Sequence, residues 1–295
     1  MAATSLVICK MAIGHLGDSG KDVTNITTPV TQHDNICSRW YSVALDQALT
    51  DIKPSWAVRK DLLTLVDEFD EDSFLNGEWS FVYLQPSSMV HLEKILGEGA
   101  VKNQPTEDYE LVTFMPDSAT PDYTETDDET ITFEEDPGWY DGIAVQPNST
   151  GGGLTSGNTY YAHRIDELTF SLHTTYANAI ADASRVNLTA SITATLAPTT
   201  QVTVIATNTE DAYADYIYRV TTTTLFPESF TIALSYLLAS FLAMPVIKGK
   251  AGVEVSKAMI QLYEVWKNRA IATEKNQQVI SELYSAHIPE WIGDR

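Results

Sequence analysis

The chain has 295 residues, enough for one large domain or two ordinary ones, and its 44% hydrophobic and 20% charged residues suit a folded protein. Its 40 Asp+Glu against 18 Lys+Arg give a net charge of −22. That excess excludes a nucleic-acid reader built on a basic surface. Residues 4–16 predict a helix, with Leu6, Cys9, Ile13 and Leu16 at helical spacing and Gly17 as C-cap. A loop rich in Gly, Asp, Asn and Thr follows, as far as Pro29. Thr31 or Asp34 is expected to cap a second helix running to about residue 52, with Ile36, Trp40, Val43 and Ala44 on its apolar stripe. Pro54 ends it. A third helix is expected from Ser55, carrying Trp56, Val58, Leu62, Leu63, Leu65 and Val66.

Residues 79–84 predict a strand, 89–96 a short helix or turn, and 109–115 a second strand. The composition then changes, with no Lys or Arg between Lys102 and Arg164. Candidate strands follow at 130–134, 142–146, 159–165, 169–173, 185–189 and 201–206, punctuated by the glycines at 151–153. Residues 214–222 predict a further strand, and Pro227 suits the first position of a helix over 228–244. A second long helix is expected over 253–284, with Met259, Leu262, Tyr263, Trp266, Ala270 and Ile271 on its stripe. The uncharged run 230–247 approaches the length of a bilayer span. Thr231, Ser235, Tyr236 and Ser240 within it, with Pro245 near its end, predict a helix buried in a protein core instead, and no membrane insertion is expected. The fold class expected is α+β: a helical bundle body formed by 1–117 and 207–295, with an inserted all-β, sandwich- or barrel-like module at 118–206.

No P-loop, dinucleotide fingerprint, H-E-x-x-H or paired C-x-x-C occurs. The histidines at 15, 33, 91, 163, 173 and 287 show no metal spacing. Cys9 and Cys37 read as reduced core thiols, and residues 1–20 show no secretory cleavage pattern. No catalytic residue, metal or cofactor is therefore expected. The acidic run Glu125, Asp127, Asp128, Glu129, Glu134, Glu135 and Asp136 lacks the order of a calcium loop and reads most simply as a solvated face. Trp40, Trp56, Trp79 and Trp266 read as core fillers.

Three N-terminal segments carry a resemblance: 6–17 (LVICKMAIGHLG), 37–49 (CSRWYSVALDQAL) and 54–57 (PSWA). They resemble the start of tailed-phage head-to-tail adaptor proteins, relatives of the tail tubular protein A of T7-like phages. Leu45-Asp46 stands where an Arg-Asp pair is common, and Ser55 separates Pro54 from Trp56. Toward the C-terminus, 216–221 (YIYRVT), 225–234 (LFPESFTIAL) and 238–243 (LASFLA) are similar to the strand and long helix of the same family. Residues 153–172 resemble small β modules inserted in virion and tail proteins.

The resemblance implies a structural virion protein, not an enzyme. Such a protein forms a closed, commonly twelvefold homo-oligomeric ring at the head–tail junction, assembled in the host cytoplasm. Its expected partners are further copies of itself, the portal protein and the tail nozzle protein. Genomic DNA would pass non-specifically through the channel. Ile288, Trp291 and Ile292 are the expected docking anchors on the portal or a neighbouring subunit. If the acidic run lines the lumen, its charge keeps passing DNA from adhering. The other reading is a tail-associated carbohydrate- or cell-surface-binding protein, acting through Tyr160, Tyr161 and Tyr176 exposed on the β insert.

Overall fold

Thr4 and Thr31 open the first two helices by one device. Each side-chain oxygen accepts a backbone N–H of the first turn, from Val7 and from Asp34, and so fills a donor that a helix start leaves unpaired. The computed structural model describes residues 4–20, 22–68, 79–99, 106–166 and 168–286, with side chains at all of these except 67, 68, 114 and 276–286. In chain order, α1 is Ser5–His15, α2 is Gln32–Ile52 and a 3-10 turn spans Ser55–Ala57. Five strands follow: β1 Val58–Leu62, β2 Leu65–Glu68, β3 Phe81–Leu84, β4 Met89–Leu96 and β5 Tyr109–Phe114. Next come β6 Tyr123–Glu125, β7 Thr130–Thr132, β8 Ala144–Pro147, β9 Tyr160–Arg164, β10 Thr169–His173 and the short α3 Tyr176–Ile180. The chain continues through β11 Leu196–Pro198, β12 Val202–Thr207 and β13 Tyr213–Tyr218, then α4 Glu228–Ile247 and α5 Gly249–Ala286. The class is mixed α+β, in two compact units.

The first unit takes Met1–Asp61, Ser87–Lys94 and Ala214–Arg295. Its core joins both ends of the chain: Ile8 and Ile13 of α1, Leu45 and Leu49 of α2, and Phe230, Leu234, Leu238 and Leu242 of α4. Tyr263 and Ala270 of α5 complete it. Helix α4 is apolar on every side and, by length and composition alone, long enough to cross a membrane. Here it packs on α1, α2 and α5. Lys248 and Gly249, both at positive φ, turn the chain into α5. Gly252 then lets α5 approach closely, since a Cβ there would lie 3.1 Å from the Ala243 carbonyl oxygen. Ser256 Oγ donates to the Ser240 carbonyl at 2.9 Å. A three-stranded sheet of order β1-β13-β4 adds Ile217 to this core, with the Arg59 guanidinium 3.8 Å from the Tyr218 ring centre.

The second unit takes Leu62–Pro86 and Ile95–Tyr213. It holds a six-stranded sheet, β11-β8-β9-β10-β7-β6, and a four-stranded sheet, β2-β3-β12-β5. Phe170 of β10 stands opposite Ile131 of β7 and Arg164 of β9. Ile131, Phe170 and Leu172 share one core with Val82 and Val204 of the smaller sheet. Phe133, Trp139 and Phe170 meet edge to face at 5.0–5.8 Å, and the Trp139 indole N–H donates to the Asp117 carbonyl at 2.9 Å.

Four expectations need correction. The third helix does not form: after one 3-10 turn the chain enters β1, which is exposed along its whole length and is held as a strand by pairing with β13. Residues 89–96 form strand β4, where His91 and Glu93 reach the Lys53 ammonium. Residues 185–189 form no strand, only a single bridge from Arg185 to His173. The β unit also extends beyond 118–206. Strands β3 and β5, which precede residue 118, both pair with β12 and so belong to it. Helix α4 passes Pro245 and ends at Ile247, since a proline this late removes one hydrogen bond only.

Candidate functional site

Charge separates the two units. Counted on the sequence within the unit bounds, the second unit holds 25 Asp+Glu against 3 Lys+Arg, and the first holds 15 against 15. The whole net charge of −22 therefore sits on the second unit. Its acidic run lies on and around β6 and β7. Asp127, Asp128, Glu134 and Glu135 are exposed, while Glu125, Glu129 and Asp136 are half-buried. Glu125 accepts from the Tyr123 hydroxyl at 2.8 Å. Asp136 pairs with Arg164 at 3.0 Å, and Arg164 also donates to the Val66 carbonyl at 2.7 Å, so Asp136 fastens the fold. A cavity of about 690 Å³ is lined by Asp117, Asp122, Phe133, Glu134, Glu135 and Asp136, among others. Among the described residues, no three His, Cys, Asp or Glu side chains come together as a metal would require.

The three tyrosines expected to form an exposed surface do not. Tyr160 is buried in the core, and its hydroxyl accepts the Thr155 N–H at 2.9 Å. It points inward because strand alternation puts Tyr160 and Ala162 on the core side and Tyr161 on the other. Tyr161 is half-buried and meets Tyr176 edge to face at 6.3 Å. Tyr176 alone is exposed. It lies over Gly142, where a Cβ would come within 2.3 Å of its ring.

A polar cluster that sequence reasoning passed over lies on β10 and the loop after α3. His173 is fully buried, with Nδ1 2.8 Å from the Ala183 carbonyl and Nε2 3.0 Å from Ser171 Oγ. Ser171 Oγ is 3.1 Å from Asp182 Oδ1. Arg185 grips Asp182 with two N–H groups, at 2.9 and 2.6 Å, and these bonds hold that carboxyl down at about 2. Ser, His and Asp are the residue types of a hydrolytic triad, but the wiring differs. The carboxylate meets the serine side, the far ring nitrogen serves a carbonyl, and Ser171 is fully buried. Ser171 and His173 share a face by strand alternation, a signal present in the sequence; Asp182 arrives through a loop that periodicity does not show.

In the first unit, Asp34 organises loop 22–31. Its buried carboxylate accepts N–H bonds from Thr24, Asn25, Val30 and Thr31 at 2.7–3.3 Å, and the Thr24 hydroxyl at 3.1 Å. Burial alone would raise this carboxyl, but the backbone donors outweigh it and hold it far below the ordinary carboxylate range. Cys9 and Cys37 are free and buried in the same core. Asp46 and Arg219 form a two-pronged ion pair. The expected docking anchors Ile288, Trp291 and Ile292 lie outside the described residues. Neither protein-family models nor curated protein sequences match this chain.

Proposed function

We propose that this chain is the structural subunit of a tailed-phage head-to-tail adaptor ring. Residues 4–52 and 214–275 supply the helical bundle body, which makes the ring contacts and meets portal and nozzle. The β unit is an acidic module carried on that body. The observation that supports this most is the division of charge: a unit with 15 acids and 15 bases built from both chain ends, against one with 25 acids and 3 bases. Copies of a neutral unit associate without long-range repulsion, whereas copies of the acidic unit repel one another and repel DNA phosphates. Side-to-side contacts that close on themselves give a ring.

The test is the mass of the purified chain, measured by light scattering alone and with the portal protein, together with electron microscopy of the mixture. The expected result is a ring of many copies seated on the portal. A chain that stays monomeric and ignores the portal overturns the proposal. The glycan-binding reading loses its main support, since of its three tyrosines only Tyr176 is exposed.

A further inference from the structure

Helix α5 has two apolar faces. One is buried in the first unit: Tyr263 and Ala270 belong to its core, with Met259 and Trp266 packed against it. The other recurs at alternating steps of four and three residues: Ala251, Val255, Ala258, Leu262, Val265 and Ala272, with Arg269 at the remaining position. Val255 is half-buried and the others are exposed, Val265 to 63%. That spacing is the heptad seam of a helix made to pack on another helix. Water gives such a seam no stabilisation, whereas burying it against a second helix does.

The seam matches itself when reversed. Turned end for end about a point between Tyr263 and Glu264, it meets itself in register. Leu262 falls opposite Val265, Val255 opposite Ala272, and the long Arg269 opposite the small Ala258, each pair occurring twice. Antiparallel helices packed in this way also bring together the residues along one flank of the seam. Here these are Glu254 against Lys275 and Gln261 against Asn268, all exposed. Opposite charges thus meet at both ends. The Arg269 guanidinium lies 4.9 Å from the Trp266 ring centre of its own helix, so its charge keeps a partner in the pair. A parallel pairing in register would set Arg269 against Arg269 and Ala258 against Ala258, a clash of like charges beside a gap.

We propose that α5 is a contact between two copies of this chain, which pack their seams antiparallel over residues 254–275 about a two-fold axis. The first unit carries 15 acids and 15 bases, so two copies approach through it without net repulsion. The contact spans about three heptads, at the lower end of specific interface sizes, so it forms and dissociates with concentration. It rests on α5 alone and not on the adaptor reading. A two-fold contact joins like faces, whereas ring closure joins unlike faces of successive copies.

The test is light scattering on the full chain, without the portal protein, from about 1 µM to about 100 µM, a span that covers micromolar association. The mass is expected to rise to that of two chains. Leu262→Asp sets a charge against Val265 of the other copy and should keep the chain monomeric. Should that variant not fold, the charge pair decides. Lys275→Glu should weaken the pairing about tenfold or more, and Glu254→Lys combined with Lys275→Glu should restore it. Disulfide trapping reads the orientation, since Cys9 and Cys37 are buried. Val255→Cys combined with Ala272→Cys should link two copies on oxidation. Either substitution alone should not, because the same residue of the other copy lies about 26 Å away along the pair. The mass of one chain throughout, an assembly of any size that ignores Leu262→Asp or Lys275→Glu, or linkage by a single cysteine substitution overturns the proposal.

Discussion

The two units keep their shape by different means. The first is built on apolar helices: α4 is buried among α1, α2 and α5, and the unit's charges balance. The second holds 25 acids against 3 bases and is fastened by polar side chains that reach backbone groups, such as Arg164 to Val66 and Arg185 to Asp128. Two of its three basic residues are thus spent holding the chain against its own repulsion. Packing defects should therefore damage the first unit most, and changes in geometry or ionic strength the second.

The largest effect is expected from a cavity in α4. Leu238 is fully buried in the core of the first unit. Leu238→Ala should lower stability by about 2–5 kcal/mol, read from urea unfolding. Hydrogen exchange should place the loss in the first unit and leave β10 and β12 protected. Equal loss of protection in both units would show that they unfold as one.

Next comes a turn in the second unit. Gly153 has φ 94°, and a Cβ there would meet the Asn187 carbonyl oxygen at 2.2 Å. Gly157 has φ 82° with nothing within 4 Å. Gly157→Ala should cost about 1 kcal/mol from backbone conformation alone. Gly153→Ala should cost clearly more, because the backbone of residue 187 must move. Melting temperatures of the two variants check the order, and equal effects would sink the argument from close approach.

What was legible in the sequence follows the same division. Helices with an apolar stripe and a cap were readable: Thr31 and Asp34, two rival candidates for the cap of α2, together form a reciprocal capping box. The strand at residues 169–173 coincides with β10 because Phe170 and Leu172 alternate with polar neighbours. Residues 58–62 and 89–96 were misread because their apolar positions also fit a helical turn, and only pairing with β13 makes them strands. The limits of the β unit were hidden for a related reason. Strands β3 and β5 reach β12 across more than 85 residues of sequence, a pairing no local pattern encodes. The charge division became countable only once those limits were known. The Ser171–His173–Asp182 cluster depends on two left-handed residues that carry no glycine signal.

Ionic strength should act on the second unit by a smaller amount. Raising salt from about 0.1 M to about 1 M shortens the screening length from about 10 Å to about 3 Å. That should stabilise the second unit by on the order of 1 kcal/mol through weaker self-repulsion. The first unit, with balanced charge, should scarcely respond. Hydrogen exchange of the two units in sodium chloride separates these outcomes, and a larger gain in the first unit would contradict the charge division.

The smallest effect concerns His15. The His15 ring stacks on Tyr236 at 4.1 Å, with Nε2 3.0 Å from Ser235 Oγ. The Ser235 hydroxyl proton is already given to the Ile232 carbonyl at 2.8 Å, so Nε2 must donate, as the neutral ring can. Burial pushes the ring below the ordinary histidine value. A depressed histidine lends its stability fully above about pH 6.5 and loses it as pH falls through the folded value. The ring is only half-buried, so solvent screening keeps the effect small. Mild acid should therefore loosen α1 from α4. His15→Gln should remove this response, as exchange of the α1 amides in a pH series would show. If the α1 amides of the unaltered chain are as well protected at about pH 5 as at about pH 8, the sign assigned to His15 is wrong.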